Sequence, residues 1–227
     1  MKGGRSMVLG LFIGLALCAG LVTTAAAEDP GLPFWSMYVG NWWQYDGSDG
    51  VGGTWTIHEE VVSSDTTTIP GVKTYHVEHQ EDGEHEADSY YELGLAEIKV
   101  WRERFIVEIE EVEYWVTVTV VDENGGIVIG KNPIVVPDTW ITTRTGTVDI
   151  EVFDTGTPFY SGPANITSTI DVQAQETVVT PLGTYQAYKV EDIMRVVDPT
   201  GLNFPTLERT QYNWWVPYIG NIQWQNL

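Results

Sequence analysis

Cysteine is almost missing from this chain. Cys18 is the only one among 227 residues, and it stands inside an apolar N-terminal run. The remainder therefore has no thiolate nucleophile, iron–sulfur cluster, zinc–cysteine site, c-type haem attachment or disulfide. Positive charge is also scarce, with 11 Lys and Arg against 32 Asp and Glu and a formal charge of −21. Such a balance repels phosphate backbones and anionic lipid surfaces and argues against nucleic acid as a partner. Helical periodicity is lacking too. Residues 89–99 come nearest, but Gly94 and the surrounding β-formers argue against a helix there. There is no G-x-S-x-G elbow, no phosphate-binding G-x-x-x-x-G-K loop and no G-x-G-x-x-G fingerprint, and no serine stands near a recognisable triad.

The N-terminus reads as a secretory signal. Lys2 and Arg5 precede an uncharged apolar run from Met7 to Val22, and Ala25-Ala26-Ala27 supplies small residues for cleavage before Glu28. A lipobox needs a small residue before its cysteine, and Leu17 before Cys18 is large. Residues 1–27 are thus expected to be removed, giving an exported, periplasmic or extracellular product with no stable membrane span. Their loss takes two basic residues and no acidic one, so the formal charge moves from −21 to −23 over the remaining 200 residues.

What is present alternates with period two. Ile170-Asp171-Val172-Gln173-Ala174-Gln175 is strictly apolar–polar, and Trp115 to Val121 is rich in β-branched residues. Clusters of Gly, Asn, Asp and Pro punctuate these runs, among them Glu81-Asp82-Gly83 and Asp198-Pro199-Thr200-Gly201. The spacing predicts about eight to eleven antiparallel strands in one all-β domain spanning 28–227. Pro133, Pro137 and the stretch Pro158 to Pro163 are expected to form an irregular mid-chain region.

Aromatic residues concentrate at both ends. Gly40-Asn41-Trp42-Trp43-Gln44-Tyr45 stands near the start, Pro181-Leu182-Gly183-Thr184-Tyr185 in between, and Trp214-Trp215-Val216-Pro217-Tyr218-Ile219-Gly220 near the end. This trio resembles a group of exported bacterial proteins that look like the half-barrel folds of lipoprotein carriers. The resemblance implies a single curved antiparallel sheet, a half-barrel or incomplete barrel, around an apolar cavity. In a strand, Trp42 and Trp43 face opposite ways, as do Trp214 and Trp215. One ring of each pair is expected in a shared core.

Two constellations bear on chemistry. The segment His76-Val77-Glu78-His79-Gln80-Glu81-Asp82-Gly83-Glu84-His85 joins imidazoles to carboxylates, which are metal-ligand types. Strand geometry puts His76 and His79 on opposite faces, while His79, Glu81 and His85 can converge across the turn. No standard ligand motif fits, so neither metal nor other cofactor is expected. Glu108, Glu110, Glu111 and Glu113 lie in one strand-like segment, and Glu59 and Glu60 in another. Carboxylate pairs hydrolyse glycosides, but alternation with Val107, Ile109 and Val112 describes a sheet with one wet face.

The expectation is a non-enzymatic envelope protein that holds a lipid-like, apolar or amphipathic ligand on its concave face, or docks an envelope protein partner. Trp35, Trp42, Trp101, Trp140 and Trp224 are the expected ligand-binding residues. The alternative is a glycan-binding module or glycan-directed hydrolase using Trp and carboxylates.

Overall fold

The computed structural model describes residues 37–48, 53–181, 183–216 and 219–226, with the side chains of Trp224 and Asn226 excepted. The expected signal segment with Cys18 and Glu28, and Trp35, lie outside these residues. So do Leu182, Pro217 and Tyr218 of the aromatic motifs.

The described residues form an all-β structure of twelve strands: β1 (Trp42–Ser48), β2 (Thr54–Asp65), β3 (Thr74–Glu81), β4 (Glu84–Leu93), β5 (Glu97–Ile109), β6 (Val112–Val120), β7 (Ile127–Lys131), β8 (Asp138–Val152), β9 (Pro158–Thr180), β10 (Gly183–Val197), β11 (Leu207–Val216) and β12 (Gly220–Asn226). They make one antiparallel sheet in the order β1-β2-β3-β4-β5-β6-β8-β9-β10-β11-β12, with β7 pairing the first part of β5. The sheet curls into a nearly closed barrel whose seam, between β1 and β12, is not sealed by a ladder. The expected curved all-β sheet is present. A side chain bridges its seam: Tyr45 Oη on β1 donates to the Asn221 carbonyl on β12 at 3.0 Å.

Local chemistry accounts for the β3–β4 hairpin. Asp82 and Gly83 both take positive φ, 50° and 84°, between β3 and β4, the two-residue turn whose twist matches the flanking strands. Residues 108–113 are not one strand. Glu110 and Glu111 take positive φ, 51° and 67°, and turn the chain so that Glu108 faces Glu113 across β5 and β6. The irregular region expected at Pro158 to Pro163 is also corrected, because β9 begins at Pro158 and pairs β8 there. The ladder to β10 starts only at Asn165. Pro163 thus sits where one side of the strand has no partner for an N–H to serve.

Alternation fills the interior. Ile170 and Val172 are fully buried, as are Val116, Val148 and Ile150. The largest apolar cluster joins β5, β6, β7, β8, β9 and β10 through Val100, Val118, Ile127, Ile150, Ile166 and Met194. A second cluster around Trp43, Tyr45, Ile57, Val61 and Val77 lines β1 to β3. Trp42, on the other side of β1, is half-buried and stacks on His58 with ring centroids 5.6 Å apart.

The terminal pairs depart from expectation in two respects. Trp214 and Trp215 are both buried, at 5 % and 7 % exposure. A register shift falls between them in the β11–β12 ladder. Trp214 joins Val178, Ala187, Val216 and Ile222, while Trp215 joins Trp140, Ile170, Val172 and Val190. Trp43 and Trp215 therefore belong to separate clusters, and what they share is a cavity.

Candidate functional site

The interior next to these clusters is not filled. A cavity of about 660 Å³ is lined by Trp43, Tyr45, Tyr91, Phe105 and Trp215 among its aromatic residues, with Met37, Ile57, Val77, Val100 and Ile129 among the aliphatic ones. Its wall draws on strands from both sides of the seam, so curling of the sheet is what assembles it.

Set into this apolar wall is a polar relay built by four successive strands. The Tyr45 (β1) hydroxyl, whose proton goes to Asn221, lies 3.4 Å from Glu59 Oε2. Glu59 (β2) faces its cross-strand partner His79 (β3), and Glu59 Oε1 lies 2.9 Å from His79 Nδ1. With Nδ1–H donating to Glu59, the other ring nitrogen, Nε2, presents its lone pair to Ser89 Oγ (β4) at 3.3 Å. Burial opposes a charge on His79, but the Glu59 carboxylate outweighs it and raises the imidazole pKa above its usual value. The phenol of Tyr91, which hydrogen-bonds Ser89, is pushed well up by burial and by the nearby Glu103 charge.

The expectation that no serine stands near a triad is thereby corrected, since Ser89, His79 and Glu59 have the connectivity of one. Ser89 is only 2 % exposed, however. It hydrogen-bonds both His79 and Tyr91, so the relay holds it as part of the polar wall of the cavity.

A second cluster meets the first through Glu103. Arg209 (β11) forms an ion pair with Glu103 (β5) and another with Asp192 (β10) at 3.4 Å. Its guanidinium lies 5.9 Å from the Phe105 ring centre. Burial pushes the Asp192 carboxyl up to about 6, with Arg209 pulling the other way and Glu103 reinforcing the rise. Gln211 reaches the same carboxylate at 3.4 Å. Asp192 Oδ1 and Arg209 Nε are buried without a hydrogen-bond partner. The lining also includes Glu81, Glu86, Glu108 and Glu208, of which Glu108 and Glu208 are exposed. Arg209 is the cationic side chain of this lining, and His79 its imidazole. Arg209 is neutralised by Glu103 and Asp192, and His79 is held by Glu59, so the wall keeps an excess of negative charge.

The tryptophans singled out from sequence are placed elsewhere. Trp101 is half-buried and donates to Glu92 Oε2 at 2.7 Å. Trp140 is buried and donates to the Val128 carbonyl at 3.0 Å. Neither these two nor Trp42 lines the cavity. The side chains of Trp35 and Trp224 lie outside the described residues. The rings that do line it, Trp43 and Trp215, are partners in the same two motifs. Their inward direction was legible as strand parity, but its sign depended on knowing which face closes.

The His-bearing hairpin divides as strand parity requires. His79 points into the barrel, whereas His76 and His85 meet outside it at Asp88, at 2.7 and 3.0 Å. The convergence of His79, Glu81 and His85 across the turn does not form. Glu59 faces the cavity, and Glu110 and Glu111 occupy an exposed turn, so the carboxylates read as a group in the sequence are dispersed. Among the described residues no helix is long and apolar enough to cross a membrane. Comparison with family models, curated proteins and solved structures gives no match to this chain.

Proposed function

We propose that this barrel is a binding protein of the cell envelope that holds one small amphiphile, apolar in its body and cationic at its head. The observation that carries this reading is the cavity of about 660 Å³ between the two ends of the sheet. Small-molecule sites have volumes of about 300–1,000 Å³ and combine apolar walls with a few fixed polar groups. The body of the ligand packs against Trp43, Trp215, Phe105 and the aliphatic wall. Its head is set by charge. A phosphate or carboxylate head would meet Glu59, Glu103 and Asp192 with their own cations already taken. An ammonium head is attracted by those carboxylates, finds the unpartnered Asp192 Oδ1, and gains from aromatic faces. The expected signal peptide supplies the envelope context. A glycan platform draws less support, because Trp42, Trp101 and Trp140 are engaged separately and form no row.

Titration by tryptophan fluorescence tests both parts, using dodecylamine, dodecanol and laurate below their micellar concentrations. Saturable one-to-one binding with the amine at least ten-fold tighter than laurate is expected. Equal affinities would remove the head-group assignment and leave the cavity reading standing. No saturable binding of any of the three would remove the cavity reading.

A further inference from the structure

Outside the barrel, on the face of β3 and β4 turned away from the cavity, a different set of side chains converges. His76 and Glu78 are two residues apart on β3 and so share a face. Asp88 on β4 is the direct cross-strand partner of Glu78. His76 Nε2 lies 2.7 Å from Asp88 Oδ1, and one ligand atom from each of His76, Glu78 and Asp88 falls within 4.8 Å of the others. A register shift after His79 pairs Gln80 with His85 and leaves Glu86 over. That bulge brings His85 Nε2 to 3.0 Å from Asp88 Oδ2.

We infer that His76, Glu78, Asp88 and His85 form a zinc site. Two imidazoles and two carboxylates are a donor set that suits Zn²⁺, which favours four ligands in a tetrahedron. With metal–ligand bonds of about 2.0–2.2 Å, tetrahedral ligand atoms stand roughly 3.4 Å apart. The ligand atoms of His76, Glu78 and Asp88 already lie within 4.8 Å of one another, and His85 joins them through Asp88. The site is also partly organised in advance. His76 stacks on Tyr90 with centroids 4.4 Å apart and planes 5° from parallel, which fixes its ring. Arg104, the cross-strand partner of Asp88, does not compete for it. Its guanidinium lies 4.3 Å from the Trp115 ring centre and 3.7 Å from Glu151. Side-chain exposures of 17 % for His76, 16 % for Asp88 and 39 % for His85 leave the group reachable from solvent while sheltering its carboxylate. The hydrogen bonds now joining the histidines to Asp88 hold the ligands together in the metal-free state, and zinc would replace the shared protons. This site stands on the outer face and does not depend on what occupies the cavity.

Calorimetry of the whole protein with zinc chloride at pH 7.5 tests it. A one-to-one isotherm with micromolar or tighter affinity is expected. His76→Ala and Asp88→Asn should each weaken it at least ten-fold, and His85→Ala at least three-fold. His58→Ala, on β2 and outside the group, should leave it unchanged. Circular dichroism checks that each variant is folded. If Asp88→Asn unfolds the protein, His85→Ala, at the more exposed hairpin end, carries the test. The assignment is overturned by the absence of saturable zinc binding, by isotherms that ignore His76 and His85, or by calcium binding as tightly as zinc. Calcium prefers oxygen ligands, so that last result would describe a carboxylate cluster in which the imidazoles play no part.

Discussion

Replacing Trp43 by alanine, next to the matching replacement of Trp42, separates the two faces of β1. Trp43 is 7 % exposed and packs against Met37, Tyr45, Ile57, Val61 and Val77. A ring of its size buries about 200 Å², which at roughly 25 cal/mol per Å² is on the order of 5 kcal/mol before the alanine methyl is subtracted. Large-to-small changes of this kind cost about 3–5 kcal/mol. The lower end applies here, because the hole left by the ring merges with an existing cavity. About 3 kcal/mol is therefore expected for Trp43→Ala. Trp42 is half-buried and its described ring contact is His58, so about 1 kcal/mol is expected for Trp42→Ala, the scale of an aromatic pair. Urea unfolding of both variants, with unchanged m-values, reads the difference directly. A Trp42 variant as damaged as the Trp43 variant, or both within about 0.5 kcal/mol of wild type, would refute the assignment of faces. The same reasoning makes both Trp214→Ala and Trp215→Ala severe. Because Trp43 and Trp215 line the same cavity, the double replacement should depart from additivity by about 0.5 kcal/mol or more.

Other consequences are more local. Tyr45→Phe removes the hydroxyl that bridges the seam and should cost about 1 kcal/mol, with amide exchange accelerating in β1 and β12 ahead of the other strands. Uniform acceleration would show that the seam is not the weak point. Glu111→Gly relieves a left-handed non-glycine residue in the exposed β5–β6 turn and should stabilise by about 1 kcal/mol. A loss of stability would mean that the carboxylate has a role there. Above pH 3.8, the ordinary Asp value, stability should also fall as pH rises. Asp192, buried against Arg209 and Gln211 on β11 and Glu103 on β5, keeps its proton to about pH 6 when folded but only to about 3.8 when unfolded. The folded state therefore binds the extra proton between those values, and its advantage is lost as pH climbs through them. His79, facing Glu59, Ser89 and Glu103, has a raised pKa. Its contribution is complete below about 6.5 and is lost as pH rises through the folded value. Asp192→Asn should flatten the slope between pH 4 and 6 in urea-midpoint measurements, and an unchanged slope would contradict the assignment. Finally, a formal charge of −21 repels itself, so melting temperature should rise as added salt shortens the screening length from about 30 Å to about 8 Å.

Much of the fold was legible because it is local. Alternation at Ile170 to Gln175 placed Ile170 and Val172 inside, and Asp82-Gly83 marked its own turn. Where local chemistry is silent, the reading failed. Glu110 and Glu111 form a turn without glycine or asparagine, so they looked like strand. Pro163 looked like a breaker because its half-paired position on β9 depends on where β10 stops. The bulge at Trp214 and Trp215 buries both rings, and no residue type there announces it. The cavity wall is harder still. Glu59, His79, Ser89, Glu103, Asp192 and Arg209 come from six strands, and only the closed sheet brings them together. A partial signal existed: Asp192 lies between Val190 and Met194 at the inward parity of its strand, and a charged residue at a core position requires a partner. The convergence of His76 and His85 on Asp88 needed the bulge at Glu86, which shifts the register by one residue.

The cavity is most directly tested by filling it. Ala87 lines it from β4, and its small side chain makes no polar contact that a larger one would break. Dodecylamine titrated into wild-type protein and into Ala87→Trp, with melting curves recorded for both, isolates occupancy from stability. The account predicts one-to-one binding to wild type, at least ten-fold weaker binding to Ala87→Trp, and melting temperatures within a few degrees of each other. Undiminished binding to a folded Ala87→Trp protein would place the amphiphile on the acidic outer surface and contradict the claim that the barrel interior is the binding site.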